Sequence, residues 1–196
     1  SSRYSPVIGP DGRIYVNAEY SYPNSGWSDL YGNRGWISPL RYSNDYYQYE
    51  GESKELLYID GLSPGSQPHL APVTLDNLGN LWHTSTSGLR GLVIATNTIA
   101  FEDANIGTKG RAVVDENNIV YAFGADDKIY AVTLSGVLWN TTVTDGSGST
   151  MVVGKDSEYI LSVNSEGVLY KYDVTEGKET KIYDFETTVS TALMTD

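Results

Sequence analysis

Apolar residues in this chain come in short runs that alternate with polar positions, and no stretch holds helical spacing for the length of a helix. The plan is clearest from Gly110 to Val143, GRAVVDENNIVYAFGADDKIYAVTLSGVLWNTTV. Its apolar runs are Ala112 to Val114, Ile119 to Phe123, Ile129 to Leu134 and Val137 to Val143. Between them lie Asp115-Glu116-Asn117-Asn118, Ala125-Asp126-Asp127 and Ser135-Gly136. Val, Ile and Tyr suit a pleated, half-buried surface, and Gly, Asn, Asp and Ser suit tight turns. The pattern predicts a four-stranded antiparallel unit joined by short connections.

The same plan recurs along the chain. Ser149 to Phe185 repeats it, with strands expected at Thr150 to Val153, Glu158 to Val163, Val168 to Tyr172 and Lys181 to Phe185. Leu70 to Thr84 matches the hairpin Ser5 to Val16, and strands at Gly91 to Thr96 and Thr98 to Glu102 follow. Asp11, Asp76, Asp115, Asp156 and Asp196 mark equivalent turns, 65, 39, 41 and 40 residues apart. A period near 40 residues, four strands long, is the signature of β-propeller blades. A lone four-stranded sheet cannot bury both faces, so such units stack. The expected fold is therefore all-β, a β-propeller of four-stranded antiparallel blades. The blades fall near residues 5–60, 70–103, 110–143 and 149–185, and 188–196 is a closing or next-blade strand. Two arrangements fit: Val189 to Met194 completes the N-terminal sheet, or the chain is part of a larger ring that another chain completes.

The long interval between Asp11 and Asp76 coincides with a break in the plan at residues 19–51. That segment carries Tyr20, Tyr22, Trp27, Tyr31, Trp36, Tyr42, Tyr46, Tyr47 and Tyr49, interrupted by Gly, Pro, Ser and Asn. A strand is expected around Trp36 to Tyr42, between a long loop and a polar one, and Lys54 to Ile59 closes the unit. Irregular insertions on a regular scaffold often carry function, and Tyr and Trp offer rigid amphipathic contact area. These nine aromatics are the candidate binding residues, for another protein chain or a glycan.

Several blade segments carry a family resemblance: Ser5-Pro6-Val7-Ile8, Asp11-Gly12-Arg13-Ile14-Tyr15-Val16, Lys128-Ile129-Tyr130-Ala131-Val132, Val137-Leu138-Trp139 and Gly167-Val168-Leu169-Tyr170-Lys171-Tyr172. They resemble the quinoprotein-like (PQQ-like) β-propeller repeat over nearly the whole chain outside the aromatic insertion. The family's dehydrogenases use a vicinal disulfide, a Ca²⁺ site and a catalytic Asp over the quinone, on rings of about eight blades. This chain has no cysteine at all. The resemblance therefore points to the family's non-enzymatic scaffolds, adhesins and binding modules, without PQQ.

Charge and candidate chemistry narrow this reading. With 13 Lys and Arg against 25 Asp and Glu, the net charge of -12 disfavours nucleic acid and anionic membrane surfaces. No run is long enough to span a bilayer as a helix. An extracellular, periplasmic or cell-envelope location is expected. His69 and His83 are the only histidines. Without metal-ligand spacing, a structural or solvent-facing role is expected for both. The turns at Asp115 to Asn118 and Asp126 to Lys128 could hold Ca²⁺ through carboxylate and carbonyl oxygens, although solvated β-turns are expected there. Trp82 and Trp139 are expected to pack between blades, and Tyr15, Tyr121, Tyr130, Tyr159 and Tyr170 to fill the core. The expected function is a non-catalytic binding or assembly module. The alternative is a carbohydrate-active enzyme, for which Asp29, Asp45, Glu50 and Glu52 are the candidate acids.

Overall fold

The computed structural model describes residues 7–8, 13–20, 34–41, 74–85, 88–96, 98–144, 150–164 and 166–186; for the first three stretches it describes strands and their pairing only. The chain is all-β, with fifteen strands among the described residues. β1 (Val7–Ile8), β2 (Arg13–Tyr20) and β3 (Arg34–Arg41) form a three-stranded antiparallel sheet. Three four-stranded sheets follow, each in simple sequential order. The first holds β4 (Thr74–Leu75), β5 (Leu81–Ser85), β6 (Gly88–Val93) and β7 (Thr98–Asp103). The second holds β8 (Ile106–Val114), β9 (Val120–Gly124), β10 (Lys128–Thr133) and β11 (Gly136–Thr142). The third holds β12 (Thr150–Val153), β13 (Tyr159–Val163), β14 (Val168–Asp173) and β15 (Glu179–Asp184).

These strands lie close to where the alternating runs place them, with two clear exceptions. The strand expected at Gly91 to Thr96 runs from Gly88 to Val93, and Ile94–Thr96, with exposed Ala95 and Thr96, form a short 3-10 helix instead. β8 begins at Ile106, six residues before the apolar run that announced it. Its pairing with β9 slips twice, between Ile106 and Lys109 and again before Val113, so its side chains do not alternate simply. Gly107 and Gly110 take positive φ there, which leaves no periodic signal to read. The expected strand at Lys54 to Ile59 and the closing segment 188–196 lie outside the described residues.

The second sheet explains how the units hold together. Along β9, successive side chains point to opposite faces. Val120 and Ala122 join a cluster with Trp82, Leu89 and Phe101 of the first sheet. Tyr121 and Phe123 join a separate cluster with Met151, Ile160, Val168 and Tyr170 of the third. Every residue of β9 is buried. The sheets are stacked in series, and the middle one has apolar contacts on both faces.

Candidate functional site

Two features can carry function here: the aromatic segment that interrupts the repeats, and the interfaces where one sheet meets the next. β2 and β3 pair antiparallel over their full length, from Arg13 opposite Arg41 to Tyr20 opposite Arg34. The pairing carries β2 past Val16 into the aromatic segment and makes residues 21–33 the connection between two eight-residue strands. Tyr20 thus ends β2, and Trp36 sits in β3 opposite Ala18. Tyr22, Trp27, Tyr31, Tyr42, Tyr46, Tyr47 and Tyr49 lie outside the described residues, as do His69, Asp29, Asp45, Glu50 and Glu52.

The interfaces are built by a repeated device that the sequence only hinted at. At the start of the β4–β5 turn, Asp76 is buried. Its Oδ1 accepts the backbone N–H groups of Leu78 and Asn80, at 3.0 and 2.8 Å. Its Oδ2 accepts Asn80 Nδ2–H and the Trp82 indole N–H, at 2.9 and 3.2 Å. In the β8–β9 turn Asp115 does the same. Oδ1 accepts the N–H groups of Asn117 and Ile119, and Oδ2 accepts the Tyr121 hydroxyl at 2.9 Å. One carboxylate thus closes the turn and fixes the aromatic ring six residues on. Both oxygens of Asp115 are engaged within the protein and the side chain is buried, so this turn is a structural clamp and not the solvated turn expected from the sequence.

Each clamped ring covers a small residue on the next strand. Trp82 lies opposite Gly91, which lies opposite Phe101, and the two rings are 5.8 Å apart. Tyr121 lies opposite Ala131, which lies opposite Trp139, again with rings 5.8 Å apart. A Cβ on Gly91 would come within 2.8 Å of Trp82 and 2.9 Å of Leu134 in the next sheet, so only glycine fits. Trp139 then reaches across to the third sheet, where its indole N–H donates to the Val174 carbonyl at 2.8 Å. Gly177 in the β14–β15 turn meets both demands on a glycine. Its φ is 70°, and a Cβ would lie 2.5 Å from the Trp139 ring.

The third sheet departs from the device. Gly154 stands where Asp76 and Asp115 stand, its N–H bonded to the Tyr159 carbonyl across a turn one residue longer. The register residue is therefore Gly154 and not Asp156, which instead takes a positive φ of 57° within that turn. The row across the strands becomes Leu161, Lys171 and Thr180. The Lys171 ammonium lies 4.5 Å over the Tyr159 ring, a cation–π contact on a half-buried ring. Tyr121 and Tyr170 fill the core as expected, while Tyr130 and Tyr159 are only half-buried. His83 is 1% exposed, which removes the solvent-facing role.

The second candidate calcium turn is also committed to protein partners. Asp126 pairs with Lys128 at 2.9 Å and accepts the Tyr130 hydroxyl at 2.8 Å; Asp127 pairs with Lys109. Partial burial acts to raise the Asp126 pKa, but hydrogen bonds from Lys128 and Tyr130 outweigh it and hold the carboxyl below its usual range. Burial, then the bond to Asp126, pushes the Tyr130 phenol up to about 12. Burial also drives Tyr121 and Tyr172 well above the ordinary phenol range, reinforced by Asp115 and Glu179. Among the described residues, no three His, Cys, Asp or Glu side chains come together to hold a metal.

These shifts set an alkaline limit. A phenol whose folded pKa is raised stabilises the fold fully below its unfolded value, about 10, and that contribution is lost as pH rises through the folded pKa. Tyr121 and Tyr172 are expected to ionise only well above the ordinary phenol value of about 10, and only with cooperative loss of β-sheet circular dichroism. A single unperturbed titration with the sheet signal intact would contradict their burial.

No known family and no curated protein matches the chain. Among solved structures it is similar to the extracellular domain of a putative one-component system from B. thetaiotaomicron, with 12% identity and a TM-score of 0.58. The match covers 94% of this chain and 24% of that one. At this identity the likeness concerns the fold alone. No helix among the described residues is long and apolar enough to cross a membrane.

Proposed function

We propose that the chain is part of a β-propeller that serves as a non-catalytic binding or assembly module outside the cytoplasm. The observation that supports this most is the serial stacking of four-stranded sheets, with the second sheet apolar on both faces. A stack of this kind either closes into a ring or leaves apolar faces at its ends. Its similarity to an extracellular domain, which concerns the fold alone, agrees with a place outside the cytoplasm. Asp76, Asp115, Asn118 and Ser157 are engaged in the turns and between the sheets, so recognition is assigned to the aromatic segment around β2 and β3. Tyr20, Tyr22, Trp27, Tyr31, Trp36, Tyr42, Tyr46, Tyr47 and Tyr49 are the contact residues of this reading. Their partner is a glycan that stacks on the rings or a protein chain that packs on them.

Deleting Gly26 to Arg34 tests the surface. In affinity electrophoresis through gels that contain soluble polysaccharides, the intact chain is expected to be retarded and the deletion variant to run freely. Equal retardation of both, with matching thermal midpoints, would move the binding surface elsewhere. Light scattering paired with intact mass shows whether one chain or several make the ring.

A further inference from the structure

Each four-stranded sheet has its last strand at one edge, so β7, β11 and β15 pair with a neighbour on one side only among the described residues. Such an edge presents a row of backbone donors and acceptors to any strand that approaches. The three edges differ in what else they do. β7 buries Phe101, and β11 sends Trp139 across to the third sheet. β15 keeps only Glu179 half-buried and exposes its other five residues. Ile182, Tyr183 and Phe185 make up half of the large apolar side chains exposed among the described residues. Tyr183 and Phe185 meet edge to face with ring centroids 5.0 Å apart, so their exposed surface is continuous.

The charges on β15 set a register. Its pairing with β14 shifts at Ile182, so that Tyr183 stands opposite Leu169 and Lys181 opposite Tyr170. Val168 and Tyr170 share one face of β14, so their partners Asp184 and Lys181 share it too, although they are three residues apart. There the Lys181 ammonium pairs with Asp184 at 3.0 Å, with both side chains about half exposed. This spacing is self-complementary. When the strand is turned antiparallel on a copy of itself with 182 opposite 183, position 181 of each copy meets 184 of the other. Glu179 then lies opposite Glu186, but its carboxylate is held inward by the Tyr172 hydroxyl at 2.9 Å and the Thr144 N–H at 3.1 Å. Charged residues on an edge usually turn other strands away. Here they match the same strand of a second copy.

We propose that β15 is a self-association edge. The β15 of a second copy pairs with it antiparallel, Ile182 opposite Tyr183, and Lys181 of each copy faces Asp184 of the other. The pairing joins two third sheets into one eight-stranded sheet and covers the apolar surface of Ile182, Tyr183 and Phe185. It uses the edge of a sheet and not the faces that stack to make a ring, so either reading can fail without the other.

Sedimentation velocity over a concentration series tests the contact with two charge variants. The parent is expected to dimerise reversibly, with a dissociation constant of roughly 10–100 μM for a contact of this size. Lys181→Asp leaves acidic residues at both positions, and Asp184→Lys leaves basic ones. Alone, each variant sets like charges opposite one another and is expected to dimerise about tenfold or more weakly. An equal mixture is expected to form a mixed dimer at parental strength, because every cross-strand pair is then opposite in sign. Neither variant keeps the ion pair within its own chain, so rescue in the mixture reports the contact between chains. β-sheet circular dichroism equal to that of the parent confirms that both variants fold. A parent that stays monomeric up to about 1 mM overturns the proposal. So does association of each variant at parental strength, or a mixture no stronger than its components. A multi-chain ring that persists in both variants overturns the edge contact and leaves the ring reading standing.

Discussion

Trp82→Ala is expected to destabilise the fold by about 3–5 kcal/mol, the usual cost of removing a large aromatic from a packed core. Trp82 is 1% exposed and packs against Phe101 and over Gly91 at the junction of the first two sheets. Removal leaves a hole at a junction where the Asn77 backbone N–H, donating to Asn118 Oδ1, already ties the first sheet to the second. It also leaves Asp76 Oδ2 without its indole donor. For a chain of this size the thermal midpoint should fall by roughly 6–20 °C. Trp82→Phe separates the two effects. It keeps a ring against Phe101 and loses the N–H, so roughly 1–2 kcal/mol is expected. Denaturant unfolding checks both. Equal midpoints for Trp82→Ala and the parent would mean that the first two sheets do not form a shared core.

Asp115→Ala should cost about 3 kcal/mol, because one side chain serves three donors in a buried turn. The N–H groups of Asn117 and Ile119 and the Tyr121 hydroxyl all lose their acceptor together. Tyr121 is fully buried, so water cannot replace that partner without opening the interface between the second and third sheets. Asp115→Asn should cost less, roughly 1 kcal/mol, because Oδ1 can still accept both backbone N–H groups. The control is Asp126→Ala. Its carboxylate is 39% exposed in its pairing with Lys128, so a loss of well under ~1 kcal/mol is expected there. If Asp115→Ala proved as mild as Asp126→Ala, the clamp would not be a structural element.

Much of this arrangement is legible in the sequence, for a local reason. A strand with one buried face must alternate, and a tight turn needs residues that tolerate its dihedrals. Both requirements leave marks within a few neighbouring residues, so Thr150 to Val153 and Val168 to Tyr172 can be read almost to the residue. The aspartates at 76 and 115 are legible as register marks because the chain reverses there. Their second task, holding Trp82 and Tyr121, has only a faint signal: an aromatic six positions after an acidic turn residue, twice. In the next sheet the repeat period near 40 residues points to Asp156, since an acidic residue looks like the recurring feature. The equivalent position is Gly154, where a Cβ would collide with Tyr159. Side-chain identity is not what that turn preserves.

The sequence by itself determined which segments pair, in what order and through which turns, because those choices rest on contacts between chain neighbours. It determined that the sheets must stack, because a lone four-stranded sheet cannot bury both its faces. Only the tertiary structure decided which neighbour covers each face. Val120 and Tyr121 are adjacent and equally buried, yet one joins the cluster of Trp82 and Leu89 in the first sheet and the other that of Met151 and Ile160 in the third. No local rule separates them, since that choice depends on how sheets some forty residues apart advance on one another. The demand for glycine at 177 comes from the same source, since the Trp139 ring arrives there from the neighbouring sheet, while Gly91 is confined by Trp82 of its own sheet and Leu134 of the next.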